Sequence, residues 1–162
     1  MNQNKRILLA VLILVLVGGA ILGLEVLRRQ RVTPADLKPG SIPIYVDGEM
    51  EAAFTPEDLE SLKEVSFQDA EEGKSQTGWM LQDVLRVHLS EDTLTPETSI
   101  TVISTSREKS ADLTWNEVED AENMVMFDVS GRGTLKLVSK MEKLDTRDEW
   151  VQDTDRIEVA SP

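Results

Sequence analysis

The sequence predicts an α+β domain with a mixed or largely antiparallel sheet and short helices, preceded by one transmembrane helix. Short segments with the alternating or apolar patterns of strands are separated by turn residues and by brief helical patterns. These segments do not follow the regular βαβ order of a doubly wound sheet, which favours the α+β class. A single apolar run near the N-terminus predicts the membrane helix.

The N-terminal apolar segment is the clearest local signal in the chain. Residues 7–24 carry no charged side chain and follow Lys5 and Arg6. The run is long enough to span a bilayer, especially when it is continued to Leu27. The sequence is therefore divided into a short tail, a transmembrane signal-anchor helix, a juxtamembrane linker and a globular domain, which cover residues 1–6, 7–27, 28–41 and 42–160.

Basic residues flank both ends of this apolar segment. The short tail carries Lys5, Arg6 and the amino group, which favours a cytoplasmic N-terminus. We therefore predict a single-pass protein of the cell membrane whose soluble domain lies on the extracytoplasmic side. Two alternatives stay open: the opposite orientation, and a signal peptide cleaved near Gly18 and Ala20.

Charge and composition exclude several classes of function. The chain has a net charge of −13, and residues 1–32 carry +4, which leaves −17 for residues 33–162. So acidic a domain repels nucleic acid, and no nucleic-acid partner is expected. There is no cysteine, which excludes disulfides, thiolate metal ligands and cysteine nucleophiles. With His88 as the single histidine, a site built from two histidines is excluded as well.

The predicted strands show either alternation or apolar residues on both faces. The segment from Met124 to Phe127 is apolar on both faces, as is typical of a central strand. Turns are predicted at Asp47-Gly48 and at Gly131-Arg132-Gly133. The strand segments are SIPIYVDG, EVSFQ, SITVIST, NMVMFDVSG, TLKLVSK and DRIEVAS.

Short helices are predicted from capping patterns and from apolar spacing. Thr55 with Asp58, and Thr114 with Glu117, have the capping-box spacing and directly follow predicted strands. A third helix is predicted over residues 79–89, because its apolar residues recur at helical spacing. These signals are structural and indicate no chemistry.

No residue stands out as a catalytic or metal-binding group. His88 lies on the apolar stripe of its helix and is expected to be a packed or capping residue. The acidic residues between Asp145 and Asp155 suggest calcium, but Trp150 stands where an EF-hand loop needs Gly, so a solvated loop is expected. Gly131-Arg132-Gly133 lacks the spacing of a phosphate loop, and no serine-nucleophile motif is present. The three tryptophans are expected to anchor the core.

The order of the segments carries more information than any single motif. A strand ending in Val-Asp-Gly is followed by a Thr-x-x-Asp-Leu helix, a strand and a Gly-Trp-x-Leu-x-Asp-Val-Leu segment, and the chain closes with Trp-Val and Ile-Glu-Val. Over roughly residues 41–160 this order resembles the oxidoreductase molybdopterin-binding domain, the fold shared with sulfite oxidase. The matching positions are Val46–Gly48, Thr55–Leu59, Val65–Phe67, Gly78, Leu81, Asp83, Val84, Leu85, Trp150, Val151 and Ile157–Val159.

The sequence departs from this family at the position that matters most. The resemblance implies a molybdenum-ligating Cys just after the strand equivalent to Val65–Phe67, but this chain has QDAEEGK there. Asp69, Glu71 and Glu72 would also repel a pterin phosphate. The chain therefore resembles a degenerate member of the family. We expect no cofactor, assign no catalytic or metal residue, and leave cofactor-binding residues unknown.

Three functions stay open at this point. The first is a membrane-anchored, extracytoplasmic, non-catalytic domain that binds a partner protein or a small ligand. The second is a molybdopterin-dependent oxidoreductase, or an accessory subunit, without thiolate ligation. The third is an acidic cation-binding surface module that uses residues 145–155 and 69–72. The absence of a catalytic constellation in the sequence favours the first.

Overall fold

The computed structural model describes residues 37–162, which form ten strands, two short α-helices and four 3-10 helices. The predicted α+β class is confirmed. The strands form two five-stranded sheets, however, where the sequence predicts one. The predicted transmembrane helix at residues 7–27 lies outside the described residues. Within residues 37–162, no helix is long and apolar enough to cross a membrane.

The strands are short and are joined by tight turns or single helical turns. In chain order they are β1 (Ile42–Val46), β2 (Glu49–Phe54), β3 (Glu64–Gln68), β4 (Ser75–Met80), β5 (Ser99–Ser104), β6 (Lys109–Thr114), β7 (Met126–Val129), β8 (Leu135–Val138), β9 (Val151–Gln152) and β10 (Arg156–Ala160). The α-helices are α1 (Leu81–His88) and α2 (Trp115–Glu119), and the 3-10 helices cover Pro56–Ser61, Glu91–Thr93, Ala121–Asn123 and Glu142–Leu144.

The first sheet, sheet A, has the order β2-β1-β10-β5-β6 and is mixed, because β1 and β10 run parallel while the other pairs are antiparallel. The predicted turn between β1 and β2 is confirmed. Asp47 and Gly48 have φ angles of 50° and 84°, as a two-residue hairpin turn requires. The Asp47 carboxylate accepts hydrogen bonds from the Ser161 backbone and hydroxyl, both at 2.9 Å, which attaches this turn to the C-terminal segment.

The second sheet, sheet B, has the order β3-β4-β7-β8-β9 and is antiparallel throughout. The prediction that β7 is a central strand is confirmed, although the strand begins at Met126 rather than at Met124. Phe127 belongs to the main hydrophobic core, whereas Met126 belongs to a second cluster. Since adjacent strand residues point to opposite faces, this assignment explains why both faces of β7 are apolar.

One large core joins the two sheets, and a smaller one lies on the other face of sheet B. The large core takes buried side chains from both sheets and both α-helices, including Ile44, Leu85, Ile100, Val118 and Phe127. The smaller core consists of Phe67, Met80, Met126, Val138 and Trp150, with Val65 and Met124 against it. The face of sheet B opposite the large core, here called the outer face, is therefore partly apolar and partly polar.

Both predicted capping boxes are present. The Asp58 carboxylate accepts from the Thr55 backbone N–H at 2.7 Å, and the helix that follows is of the 3-10 type. The Glu117 carboxylate accepts from the Thr114 N–H at 2.8 Å, and the Thr114 hydroxyl accepts from the Glu117 N–H at 3.3 Å. These contacts satisfy donors that a helix start leaves unpaired.

The predicted helix over residues 79–89 is shorter in the structure. Trp79 is part of β4 and pairs with Phe127, and α1 begins at Leu81. A strand can approach so closely here because Gly78 has no side chain. A Cβ at that position would lie 1.8 Å from the Phe127 carbonyl oxygen. The helix itself is confirmed, but its predicted start at Trp79 was wrong, because the helical spacing of the later residues was extended back into β4.

Candidate functional site

The turn between β3 and β4 overhangs a polar cleft on the outer face of sheet B. This cleft, here called the turn cleft, has a volume of about 300 Å³, and its walls include Asp69, Gln76, Asp128, Lys136 and Trp150. The sheet register explains why these residues meet. Gly78 pairs with Asp128, and Asp128 pairs with Lys136, so one transverse row crosses three strands. Gln76 points to the same face as Gly78 because it lies two residues away on β4.

A continuous chain of polar contacts forms the floor of the turn cleft. The Lys136 Nζ lies 3.0 Å from the Asp128 carboxylate and donates to the Gln76 side-chain oxygen at 2.7 Å. The Gln76 amide in turn donates to Asp69 at 2.8 Å. Asp69, Gln76 and Asp128 are buried. The Asp69 and Asp128 carboxylates are thus partly desolvated and are held by the Gln76 amide and the Lys136 ammonium group. These contacts fix the side chains of the cleft floor in the absence of a ligand.

Asp69 also organises the turn itself. Its carboxylate accepts from the backbone N–H of Glu72 at 2.7 Å, and its backbone N–H donates to the Lys74 carbonyl at 2.9 Å. The hydrogen bond from Glu72 holds the pKa of the Asp69 carboxyl below its usual range, and the Gln76 amide acts in the same direction. Asp69 is therefore ionised at neutral pH and serves as an acceptor rather than as a proton donor.

The rim of the turn cleft carries charges of both signs. Glu72 pairs with Lys74, and this contact lowers the pKa of the Glu72 carboxyl. The backbone N–H of Arg147 donates to the Glu71 carboxylate at 3.0 Å, which ties the segment before β9 to the β3–β4 turn. The Arg147 guanidinium lies 3.9 Å from Glu72 and is 61% exposed. This ion pair is long and solvated, so it holds the Arg147 guanidinium only weakly.

A second cleft adjoins the first and shares Lys136, Arg147 and Trp150 with it. It also has a volume of about 300 Å³ and is here called the basic cleft. Its walls contain three cationic side chains and no acidic one. The lining residues are Ser130, Gly131, Arg132, Lys136, Arg147, Trp150 and Gln152.

The single histidine lies away from both clefts. His88, near the end of α1, is half-buried, and its ring stacks on Phe54 with 5.5 Å between the centroids and an interplanar angle of 21°. Burial lowers the pKa of His88, and the Asp58 carboxylate opposes that shift. The prediction of a packed histidine is confirmed.

The acidic segment of residues 145–155 does not form one site. Asp148 is exposed, as a solvated loop predicts. Asp153 instead accepts from Thr134 Oγ1 at 2.7 Å, Arg107 Nε at 2.7 Å and Arg132 Nη2 at 2.8 Å, so the prediction of solvation is wrong for this residue. The Asp155 carboxylate accepts from the Thr105 backbone and hydroxyl. Within residues 37–162, no three His, Asp or Glu side chains are arranged to hold a metal ion.

Two further sequence interpretations are confirmed. Gly131-Arg132-Gly133 forms the hairpin turn between β7 and β8, with the Ser130 N–H donating to the Thr134 carbonyl at 2.8 Å. The three tryptophans, at positions 79, 115 and 150, are buried. Trp150 also lines both clefts. The Lys136 ammonium group lies 4.7 Å from the centroid of its ring, a distance at which a cation is attracted to an aromatic face.

The sequence interpretation named Asp69 but missed the other three residues on the cleft floor, Gln76, Asp128 and Lys136. Gln76 and Lys136 lie in strands whose alternation would place polar side chains toward solvent. The available signal was Asp128, a charged residue inside an otherwise apolar central strand. Such a residue needs a partner of opposite charge on a neighbouring strand, but the pairing register that supplies Lys136 cannot be read from the sequence.

The comparisons with known proteins assign no family to this chain. No family model matches the sequence, and no curated protein is similar enough to it to count as a match. The turn cleft and the basic cleft are therefore interpreted from their own residues.

Proposed function

We propose that this chain is a membrane-anchored, extracytoplasmic, non-catalytic domain of sulfite-oxidase-like fold that binds a small ligand or a partner protein in the turn cleft. The single observation that carries this proposal is the ordered floor of Asp69, Gln76, Lys136 and Asp128. A preordered cleft of mixed charge lowers the entropy cost of binding. The proposed anchor is the apolar segment of residues 7–27.

The resemblance proposed from the sequence would put the family's reactive position next to this cleft. The resembled family places its molybdenum-ligating Cys just after the strand that corresponds to β3. In this chain that place is taken by Asp69, whose carboxylate is engaged by Glu72 and Gln76. The charges of Asp128 and Lys136 also neutralise each other. These engaged groups support recognition by shape and charge rather than proton transfer or ligation of a metal.

The proposal is tested on the full chain, purified in mild detergent from cells able to make molybdenum cofactor. Elemental molybdenum and pterin fluorescence are measured together. A blank on both is expected. A near-stoichiometric signal of either would contradict the non-catalytic function and support a molybdopterin protein without thiolate ligation.

Membrane topology and binding are tested in the same cells. Protease added to intact cells is expected to digest the domain, and survival of the domain until lysis would contradict the extracytoplasmic orientation.

A photo-crosslinking residue in place of Lys74, on the rim of the turn cleft, is expected to capture an adduct whose mass identifies it as a ligand or a protein. Lys63 is the matched control, because it is exposed at the opposite end of β3. Equal capture at both positions would argue against binding in the cleft.

A further inference from the structure

The basic cleft is an exception to the charge of its domain. Residues 33–162 carry −17, yet this cleft is lined by Arg132, Lys136 and Arg147 without any acidic side chain. Asp128 neutralises the charge of Lys136, so the guanidinium groups of Arg132 and Arg147 are the ones that can attract an anion to this concave surface. The cleft is large enough for a small organic molecule, at about 300 Å³.

The three cations are not equally engaged within the protein. Lys136 is 17% exposed and is held by Asp128. Arg132 donates through Nη2 alone to both oxygens of Asp153, and its Nε and Nη1 donate to no acceptor among residues 37–162. Arg147 is 61% exposed, and 3.9 Å separates its Nη1 from Glu72, which is longer than a hydrogen bond. Two guanidinium groups therefore retain donors that face no protein acceptor.

Trp150 contributes a second, independent observation. Its indole Nε1–H is buried and finds no acceptor among residues 37–162. A buried donor left without an acceptor is destabilising, and Trp150 lines the same cleft as the two arginines. The lining of the cleft thus includes the residue that carries this buried donor, together with two guanidinium groups that are only partly engaged and no acidic side chain.

We propose that the basic cleft binds the carboxylate group of a small organic acid, with Arg147 as the principal contact and the free donors of Arg132 as the second. Guanidinium groups match carboxylate geometry through paired N–H donors. A single negative charge suits this place better than a phosphate dianion, because the surrounding domain repels each added charge. This inference goes beyond the proposed binding in the turn cleft, because it assigns a ligand of stated chemistry to the adjoining basic cleft, which shares Lys136, Arg147 and Trp150 with the turn cleft.

The test uses the full chain in detergent micelles and three probes: benzoate, its neutral analogue benzamide, and inorganic phosphate. Binding is followed by nuclear magnetic resonance at the Trp150 indole N–H, which a Trp150→Phe variant assigns. Benzoate is expected to shift this signal to saturation. Benzamide is expected to bind at least about tenfold more weakly, because a charged hydrogen bond contributes more than 1.4 kcal/mol.

Variants locate the contact. Arg147→Gln is expected to weaken benzoate binding about tenfold, and Arg147→Lys, which keeps the charge but loses the paired donors, is expected to weaken it less. Arg86→Gln is the matched control, because Arg86 packs on Trp115 outside the cleft, 5.3 Å from the ring centroid. Raising the salt concentration on the wild-type chain is expected to weaken binding as well, which gives a readout that needs no variant.

Four results would overturn the inference. They are equal binding of benzamide and benzoate, phosphate binding as tight as benzoate binding, equal loss in Arg86→Gln and Arg147→Gln, and no saturable shift at all. Its failure is distinguishable from failure of the proposed function. Molybdenum or pterin in the purified protein contradicts the proposed function whether or not benzoate binds, and a missing benzoate shift contradicts the carboxylate ligand alone.

Discussion

The ammonium group of Lys136 lies 3.0 Å from a carboxylate oxygen of Asp128, directly across the β7–β8 ladder. Both side chains are largely buried, with 17% and 13% exposed. A cross-strand pair of opposite charge stabilises a sheet modestly when it is solvated, but a buried pair behaves differently. Removal of one member leaves the other charge desolvated and unpaired, so each residue depends strongly on its partner.

Lys136→Met is therefore expected to lower the free energy of unfolding by about 3 kcal/mol. The substitution leaves the Asp128 carboxylate and the Gln76 side-chain oxygen without their donor. The measurement is urea denaturation followed by tryptophan fluorescence, since the tryptophans are buried. Lys74→Met is the control, because it breaks an exposed pair with Glu72 and is expected to cost about 1 kcal/mol or less.

The double variant Lys136→Met with Asp128→Leu shows whether the cost of Lys136→Met comes from the unpaired, desolvated Asp128 carboxylate or from the lost attraction between the two charges. It is expected to be more stable than Lys136→Met alone, because no unpaired carboxylate remains in the cleft floor. A double variant that loses as much as the two single variants together would contradict this account of the pair.

Gly78→Ala is expected to prevent normal folding or to cost more than about 4 kcal/mol. The added Cβ would lie 1.8 Å from the carbonyl oxygen of Phe127, a backbone atom that cannot move without breaking the β4–β7 pairing. Gly131→Ala is the matched control, because nothing lies within 4 Å of its Cβ position. Thermal unfolding measures both, and similar melting temperatures for the two variants would show that β4 lies elsewhere.

His88 makes stability depend on pH near neutrality. Burial lowers its pKa in the folded state, so the unfolded chain binds a proton more readily. The stabilisation is present above the unfolded pKa of about 6.5 and is lost as pH falls through the folded pKa. The wild-type chain is expected to be less stable at pH 5 than at pH 7.5, and His88→Phe, which keeps an aromatic ring against Phe54, is expected to show a smaller difference. Equal differences in denaturation midpoint would contradict the role of His88.

Asp153, in the turn between β9 and β10, contacts the β5–β6 and β7–β8 hairpins, and its charge is expected to stabilise these contacts. Asp153→Asn keeps the left-handed backbone, whose φ is 57°, because Asn tolerates that conformation. The loss of charge-assisted bonds to Arg107 and Arg132 is expected to cost about 1–3 kcal/mol at pH 7. The bond from Thr134 holds the pKa of Asp153 below its usual range. The advantage over Asp153→Asn is therefore expected to be complete above the unfolded pKa of about 4, and to be lost as pH falls from there through the lower folded pKa.

The control for Asp153 is Asp148→Asn, at an exposed position of the same acidic segment. It is expected to change stability by no more than about 0.5 kcal/mol. Urea denaturation at pH 7 and at a series of values below about pH 4 compares the two variants with the wild-type chain. If the Asp148 variant loses as much as the Asp153 variant, general charge repulsion rather than the Asp153 contacts controls stability.

Local features of this protein are determined by the sequence alone. The Asp47-Gly48 turn, the capping boxes at Thr55 and Thr114, and the hairpin at residues 131–133 all appear in the structure where the sequence predicts them. Each of these features depends on residues no more than a few positions apart, so the residues that determine it lie in the same short segment as the feature itself. The apolar face of α1 is likewise visible as a helical periodicity, and β7 is visible as a continuous apolar run.

Only the tertiary structure decided the number of sheets and the residues of the clefts. The division of ten strands between two sheets depends on pairings between segments far apart in the chain, such as β1 with β10. The contact of Gln76 with Lys136 spans 60 positions, and a one-residue shift in register would send either side chain to the opposite face. This register cannot be predicted from a local sequence pattern, because it is set by how the two faces of sheet B bury their side chains. The sequence could therefore predict the class of fold, whereas the site required the packed sheet.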